Sequence, residues 1–132
     1  MKKNIANMWI KALTSGKYKQ GKYVLRSKDN KFCCLGVLCD LYNQDMSKNK
    51  KKTLKITEMN TQVEIPCYKY GSKDDYLPVS VMKWAGMRTP KGEVIINEEW
   101  CNLAMLNDGD FGEKSFSFKK IASVIKKHFE TL

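Results

Sequence analysis

Few side chains in this sequence are equipped for chemistry, and their spacing narrows the choices further. Five cysteines stand at positions 33, 34, 39, 67 and 101, an odd number at irregular intervals. That pattern is not a secreted disulfide framework. Cys34 and Cys39 are separated by four residues, as in one half of a zinc site, but no second pair follows and the only histidine is His128. The thiols therefore read as small apolar core residues in a reducing cytosol, with no metal. A nucleophilic Cys33 or Cys34 needs an activating base beside it, and the sequence offers none.

Acid–base chemistry has as little to work with. His128 lies on a lysine-rich C-terminal segment, where a protonated imidazole suits the end of a helix. The carboxylate pairs Asp74-Asp75 and Glu98-Glu99 are adjacent residues, the arrangement of solvation or capping. Asn107-Asp108-Gly109-Asp110 matches part of a calcium loop, but the remaining ligands at the required offsets are missing. Phosphate-binding glycine fingerprints, a G-x-S-x-G elbow and an H-E-x-x-H pair do not occur. The expectation is a binding protein without cofactor, not an enzyme; a nucleotide hydrolase acting through Asp40 or Asp108 is the minor reading. The polar groups best placed to meet a ligand are Arg26, Asp40, Tyr42, Asn107 and Asp108, each next to a buried segment. Each also has an ordinary structural role open to it as a cap, a turn residue or an ion-pair partner.

The charge balance points to an acidic partner. Across 132 residues, 24 Lys and Arg oppose 14 Asp and Glu, a net charge of +10. Only Arg26 and Arg88 are arginines, so the planar fork that reads bases and clamps phosphates is nearly absent. Sequence-specific DNA reading is disfavoured, while non-specific electrostatic attraction stays open. The basic residues cluster from Lys2 to Lys31, at Lys48, Lys50, Lys51, Lys52 and Lys55, and at Lys114, Lys119, Lys120, Lys126 and Lys127. Of these, Lys48, Lys50, Lys51, Lys52, Lys119 and Lys120 are the expected basic surface.

The elements that position these groups follow from periodicity. Ile5, Met8, Trp9, Ala12 and Leu13 lie on one face of a helix from Asn4 to Thr14. Gln20 to Arg26 is β-prone and Ser27 to Asn30 is a turn. Phe32 to Tyr42, the most apolar stretch, reads as a strand-like entry into a buried helix in which Gly36 permits close packing. Asn43 to Thr53 is polar and reads as a loop. Leu54 to Ile56 and Gln62 to Ile65 read as short strands of a hairpin. Pro78 opens a short helix that Gly86 closes, and Glu93 to Ile96 is a strand. Asn97 is expected to cap a helix from Glu98 to Leu106. A last helix runs from Phe118 to Glu130, capped by Ser117. With 42% hydrophobic residues and no internal repeat, the chain reads as one domain over residues 1–132. Its class is α+β, about four helices packed on a small, mainly antiparallel sheet. No apolar run is long enough to span a membrane, and no secretory signal is evident, so the expected compartment is the cytoplasm.

Three segments together resemble a widespread family of small, uncharacterised proteins of bacteriophages and prophages. They are Trp9 to Gly21 (W-x-x-A-L-x-S-G-x-Y-x-Q-G) with Leu25-Arg26, Phe32 to Tyr42 (F-C-C-L-G-V-L-C-D-L-Y), and Leu103 to Asp108 followed by Ser117-Phe118 and Ile121-Ala122. Leu77-Pro78 with Trp84-Ala85-Gly86 is similar too. The connection after Asn107-Asp108 is longer here than is usual in that family. The resemblance brings no catalytic assignment. It implies a viral accessory protein in the cytoplasm of an infected bacterium. Together with the small basic domain and the missing catalytic set, that context leads to the expectation of a binding protein that blunts a host defence system, by occupying a host protein or by sequestering a small anionic ligand such as a nucleotide. The alternative partner is nucleic acid, bound non-specifically between lysines and the aromatic rings of Tyr18, Tyr23, Tyr68 and Tyr70.

Overall fold

The apolar stretch at the centre of the sequence becomes the helix around which everything else packs. In the computed structural model, which describes residues 1–59, 65–109 and 114–132, helix α2 (Cys34–Lys48) is buried on all sides over its first six residues. Such a helix must sit inside the core, because no face of it is polar. Helix α1 (Lys3–Thr14) lays Ile5, Ala6, Trp9 and Leu13 against it, and the Trp9 indole N–H donates to the Cys34 carbonyl at 2.9 Å. Helix α5 (Phe118–His128) packs lengthwise on α1 and contributes Phe118, Ile121, Ala122 and Ile125. Helices α3 (Val79–Ala85) and α4 (Leu103–Asp108) complete the helical layer.

A five-stranded sheet in the order β1-β3-β2-β5-β4 lies beside these helices. Its strands are β1 (Lys19–Gln20), β2 (Arg26–Ser27), β3 (Lys31–Phe32), β4 (Ile56–Glu58) and β5 (Cys67–Tyr70). All its pairings are antiparallel except β1 with β3. A separate hairpin, β6 (Glu93–Ile96) and β7 (Glu99–Asn102), precedes α4. The α+β class expected from the sequence is what forms, with five helices among the described residues instead of about four. No helix among the described residues is long and apolar enough to cross a membrane.

Several local expectations need correction. The helix expected from Glu98 starts only at Leu103, because Asn97 and Glu98 adopt positive φ (51° and 67°) and turn the chain back into β7. Two consecutive positive φ values are those of a type I′ hairpin turn. Asn102, not Asn97, caps the helix, accepting from the Met105 N–H at 2.9 Å. The polar residues Asn43 to Lys48 continue α2 and do not form a loop. They are held there by tertiary bonds: the Asn43 amide exchanges hydrogen bonds with the backbone of Leu54, and Asp45 accepts from the Trp84 indole. The run Gln20 to Arg26 pairs only at its ends, and the chain between them bends at Tyr23 with φ 71°. Helix α1 starts at Lys3, one residue before the expected Asn4, and the N-cap position Lys2 makes no side-chain capping bond. The expected hairpin near Leu54 is displaced to β4 and β5, and Gln62 to Glu64 lie outside the described residues.

Burying the start of α2 creates a demand for hydrogen-bond acceptors, since the first N–H groups of a helix have no partner within it. Cys33 supplies one, its sulfur accepting from Gly36 N at 3.4 Å. The other comes from 73 residues away: Asn107 Oδ1 accepts from Cys34 N at 3.1 Å. Asn107 is fully buried, and its amide is used to capacity. Oδ1 also accepts from Gln20 Nε2 at 3.1 Å, while Nδ2 donates to Gly21 O at 2.8 Å and to Asp108 Oδ1 at 3.0 Å. Gln20 extends the network, donating to Phe116 O at 2.7 Å and accepting from Phe118 N, the first amide of α5, at 3.0 Å.

Close approach supplies a second constraint. A Cβ on Gly36 would fall 1.7 Å from Leu25 O and 2.6 Å from Leu25 C, both backbone atoms that cannot swing aside. Alanine is the better helix former by about 1 kcal/mol, yet Gly36→Ala is expected to lose about 3 kcal/mol or more, or to fail to fold, because the overlap must push the Leu25 backbone off α2. Denaturant unfolding of the purified variant, or its absence from the soluble fraction, checks this. Asn107→Ala strands the Cys34 N–H and the Gly21 carbonyl in the core, and the expected loss in the same assay is about 3 kcal/mol. Asn107→Asp is expected to be at least as damaging at pH 7, because it replaces both donors with charge beside Gly21 O and Asp108.

Candidate binding surfaces

The structure separates the five polar residues singled out in the sequence. Arg26 does not meet Asp40. Its guanidinium donates twice to Asn30 Oδ1, at 3.0 and 2.8 Å, and lies over the rings of Tyr68 and Phe32 at 4.9 and 5.4 Å from their centroids. Asp40 accepts instead from the Tyr18 hydroxyl at 2.5 Å and from Gln44 Nε2 at 2.8 Å. Burial, followed by the Asp40 carboxylate, pushes the Tyr18 hydroxyl well above the ordinary tyrosine range. Tyr70 is buried nearby with no hydrogen-bond partner for its hydroxyl among the described residues. Burial and the Asp40 charge raise its pKa, with Arg26 opposing. Tyr42 packs edge-on against Trp84, with ring centroids 5.5 Å apart. These contacts leave Arg26, Asp40 and Tyr42 engaged within the fold. Asn107 is the internal hub described above.

Asp108 borders an open cleft. Its Oδ1 accepts from Tyr23 N at 3.0 Å, which fixes the bend at Tyr23. The cleft has a volume of about 310 Å³, and Tyr23, Asp75, Tyr76, Lys91 and Met105 line it together with Asp108. Cys33 also borders it, but burial pushes that thiol up to about 12. Burial likewise holds Cys34 and Cys39 well above the ordinary thiol range. At neutral pH none of the three supplies a thiolate, so these cysteines point to no catalytic activity.

The sequence did not reveal the most exposed large apolar side chain among the described residues. In the β6–β7 hairpin the register pairs Ile95 with Trp100, so both side chains stand on the same face. Trp100 is 73% exposed and Ile95 48%, while Val94 on the opposite face is buried in the core. Open clefts flank the indole. One is lined by Arg88, Ile95 and His128, the other by Met105, Phe116 and Lys120. From Glu93 to Asn102 there are three glutamates and no Lys or Arg, in a chain of net charge +10. Taking Glu98 to Leu106 as a helix hid this face, because helical spacing does not place Ile95 beside Trp100.

The basic groups lie elsewhere. Neither α1 nor α5 carries an acidic residue, and Lys3 and Lys11 on α1 and Lys119, Lys120, Lys126 and Lys127 on α5 are all exposed. Packing of α5 on α1 therefore joins parts of the first and third lysine clusters of the sequence. Lys120 also lies over the Phe116 ring, at 3.8 Å from its centroid. Lys48, Lys50, Lys51 and Lys52 leave the C-terminal end of α2, where Lys48 borders a shallow groove with Asn43 and Lys55. Among the described residues only two ion pairs form, Lys28 with Glu58 and Lys31 with Asp29, so most lysines face solvent without an acidic neighbour.

No curated protein and no solved structure matches the chain. Residues 1–129 match a family described as a domain of unknown function, DUF8296, and on that near-complete coverage the chain belongs to this family.

Proposed function

We propose that this is a binding protein that docks on another protein through the Ile95–Trp100 face of its β6–β7 hairpin. The observation that carries the reading is Trp100 itself. A tryptophan 73% exposed is mostly unused by the fold of this chain, and tryptophan is prominent among the residues that dominate binding energy at protein interfaces. It sits on a rigid hairpin closed by a two-residue turn, so little ordering cost arises on binding. The charged residues of the hairpin itself are all acidic: Glu93 shares a strand face with Ile95, Glu98 sits in the turn and Glu99 follows it on the opposite face, while Arg88 and Lys120 lie in the clefts beside the indole. The fitting occupant is a protein with an apolar pocket and a basic rim. The resemblance to phage and prophage proteins supplies the biological setting of the proposal: a viral accessory protein engaging a host protein and blunting its function. A small anion is the poorer fit, because Arg26 is engaged with Asn30 and two carboxylates line the cleft at Asp108.

A second reading has its own support in the lysine-bearing, acid-free outer faces of α1 and α5, which suit non-specific contact with a nucleic-acid backbone. The two are separated by capture from bacterial lysate with and without nuclease, using wild type, Trp100→Ser and a Lys119→Glu/Lys126→Glu double variant. Docking through the hairpin predicts one host protein retained by wild type and by the lysine variant. Trp100→Ser is expected to weaken its binding by about thirtyfold or more, a loss of roughly 2 kcal/mol. The thermal midpoint of Trp100→Ser should fall only slightly, since the side chain is outside the core and loses no more than its cross-strand pairing with Ile95. Equal retention by Trp100→Ser overturns the reading. Nuclease-sensitive, salt-sensitive retention lost only in the lysine variant establishes the second.

A further inference from the structure

The cleft beside Asp108 carries an inference that deepens the docking proposal and rests on it. Its two carboxylates, Asp75 and Asp108, have no cation within 4.0 Å among the described residues, although the chain holds 24 lysines and arginines. Lys91, the cation nearest at hand in the cleft, lies over the Tyr76 ring at 4.4 Å from its centroid and pairs with neither carboxylate. On Asp108, Oδ1 already accepts from Tyr23 N and Asn107 Nδ2; on Asp75, Oδ1 accepts from Tyr76 N at 2.8 Å. In each case Oδ2 has no protein donor among the described residues. Both residues line a cleft of about 310 Å³, and each keeps one carboxylate oxygen without a donor among the described residues.

The walls add a second requirement. Tyr23 is 55% exposed and held at φ 71°, a conformation unusual for an aromatic residue, so its ring lies at the surface of the cleft and not in the core. Tyr76 lines the same cleft. Aromatic rings beside uncompensated carboxylates favour a group that is planar, positively charged and rich in N–H donors. A guanidinium meets all three conditions; an ammonium is not planar, and a phosphate is repelled. The volume lies at the low end of the range for small-molecule sites and fits a side chain better than a nucleotide. Met105 lines both this cleft and one of those flanking Trp100, which places the two features on one continuous surface.

We propose that the Tyr23–Tyr76 cleft is a socket for an arginine side chain of the protein partner, its guanidinium held by Asp75 and Asp108 while the partner's apolar pocket receives Trp100. The socket is testable without the partner. N-acetylarginine amide titrated into the ¹⁵N-labelled protein at low salt is expected to shift the amides of Tyr23, Asp75, Tyr76 and Asp108. Asp75→Asn, which keeps an oxygen for Tyr76 N and loses the charge, is expected to weaken that binding at least tenfold with an unchanged thermal midpoint. Tyr23→Asn, a residue that tolerates positive φ, should weaken it as well. N-acetyllysine amide should bind at least fivefold more weakly than the arginine probe. Absence of shifts at these residues, equal binding of the lysine probe, tighter binding of adenosine, or no effect of Asp75→Asn each overturns the socket. Because Trp100→Ser lysate capture reads the hairpin and the arginine titration reads the cleft, failure of one is distinguishable from failure of the other.

Discussion

The fold depends on satisfying the N-terminus of a helix that begins inside the core. Helix α2 is apolar on every side where it starts, so water cannot reach its first amides, and leaving one bare costs about 1–3 kcal/mol. Asn107 meets that demand for Cys34 and in doing so fixes where β1 and α4 must lie, since its other bonds go to Gln20, Gly21 and Asp108. Gln20 passes the constraint on to the first amide of α5. Trp9 clamps α1 to the same turn of α2 through the Cys34 carbonyl. Thus α1, α2, α4, α5 and β1 meet at one polar point in an otherwise apolar core, and the backbone of Leu25, pressed onto Gly36, holds the chain between β1 and β2 against it.

That internal arrangement reaches the surface through one residue. Asp108 accepts from Asn107 on the inside and from the Tyr23 backbone on the outside, so the bend that presents the Tyr23 ring is anchored to the same network. At the other end of α4, Asn102 both caps the helix and ends β7, which couples the Trp100 hairpin to the hub across a single short helix. The charges divide accordingly. Lysines coat the outer faces of α1 and α5, while the hairpin is purely acidic and the cleft predominantly so. Three of the seven glutamates of this strongly basic protein thus fall on the hairpin that carries an exposed indole, so its charge is unevenly distributed over the surface.

What the sequence disclosed follows from which interactions are local. Helices α1 and α5 were readable because their apolar residues recur at helical spacing, and Ser117 caps α5 with its own hydroxyl. Gly36 stood out for close packing within an apolar run. The β6–β7 turn was not readable, because Asn97-Glu98 lacks the glycine that ordinarily marks two positive φ angles, and Glu98-Glu99 ahead of Trp100 imitates the start of a helix. The end of α2 was hidden for the opposite reason: Asn43 and Asp45 are polar because they bond to Leu54 and Trp84, partners that spacing along the chain cannot show. Asn107 and Asp108 stand out in the sequence as polar residues beside a buried segment with a cap or turn role open to them, and they are the last two residues of α4, ahead of its C-cap Gly109. Their larger roles, capping a helix 73 residues away and lining a cleft, needed the tertiary structure.

Because Asn107 ties the start of α2 to elements across the core, its bond to Cys34 should open only when the whole domain does. Native-state hydrogen exchange of the Cys34 amide tests it most directly. The Cys34 N–H is expected to exchange with a free energy equal to that of global unfolding, and that free energy should fall with denaturant along the same slope. Exchange at a distinctly lower free energy, through local opening of α4 while the amides in the middle of α2 stay protected, would contradict it.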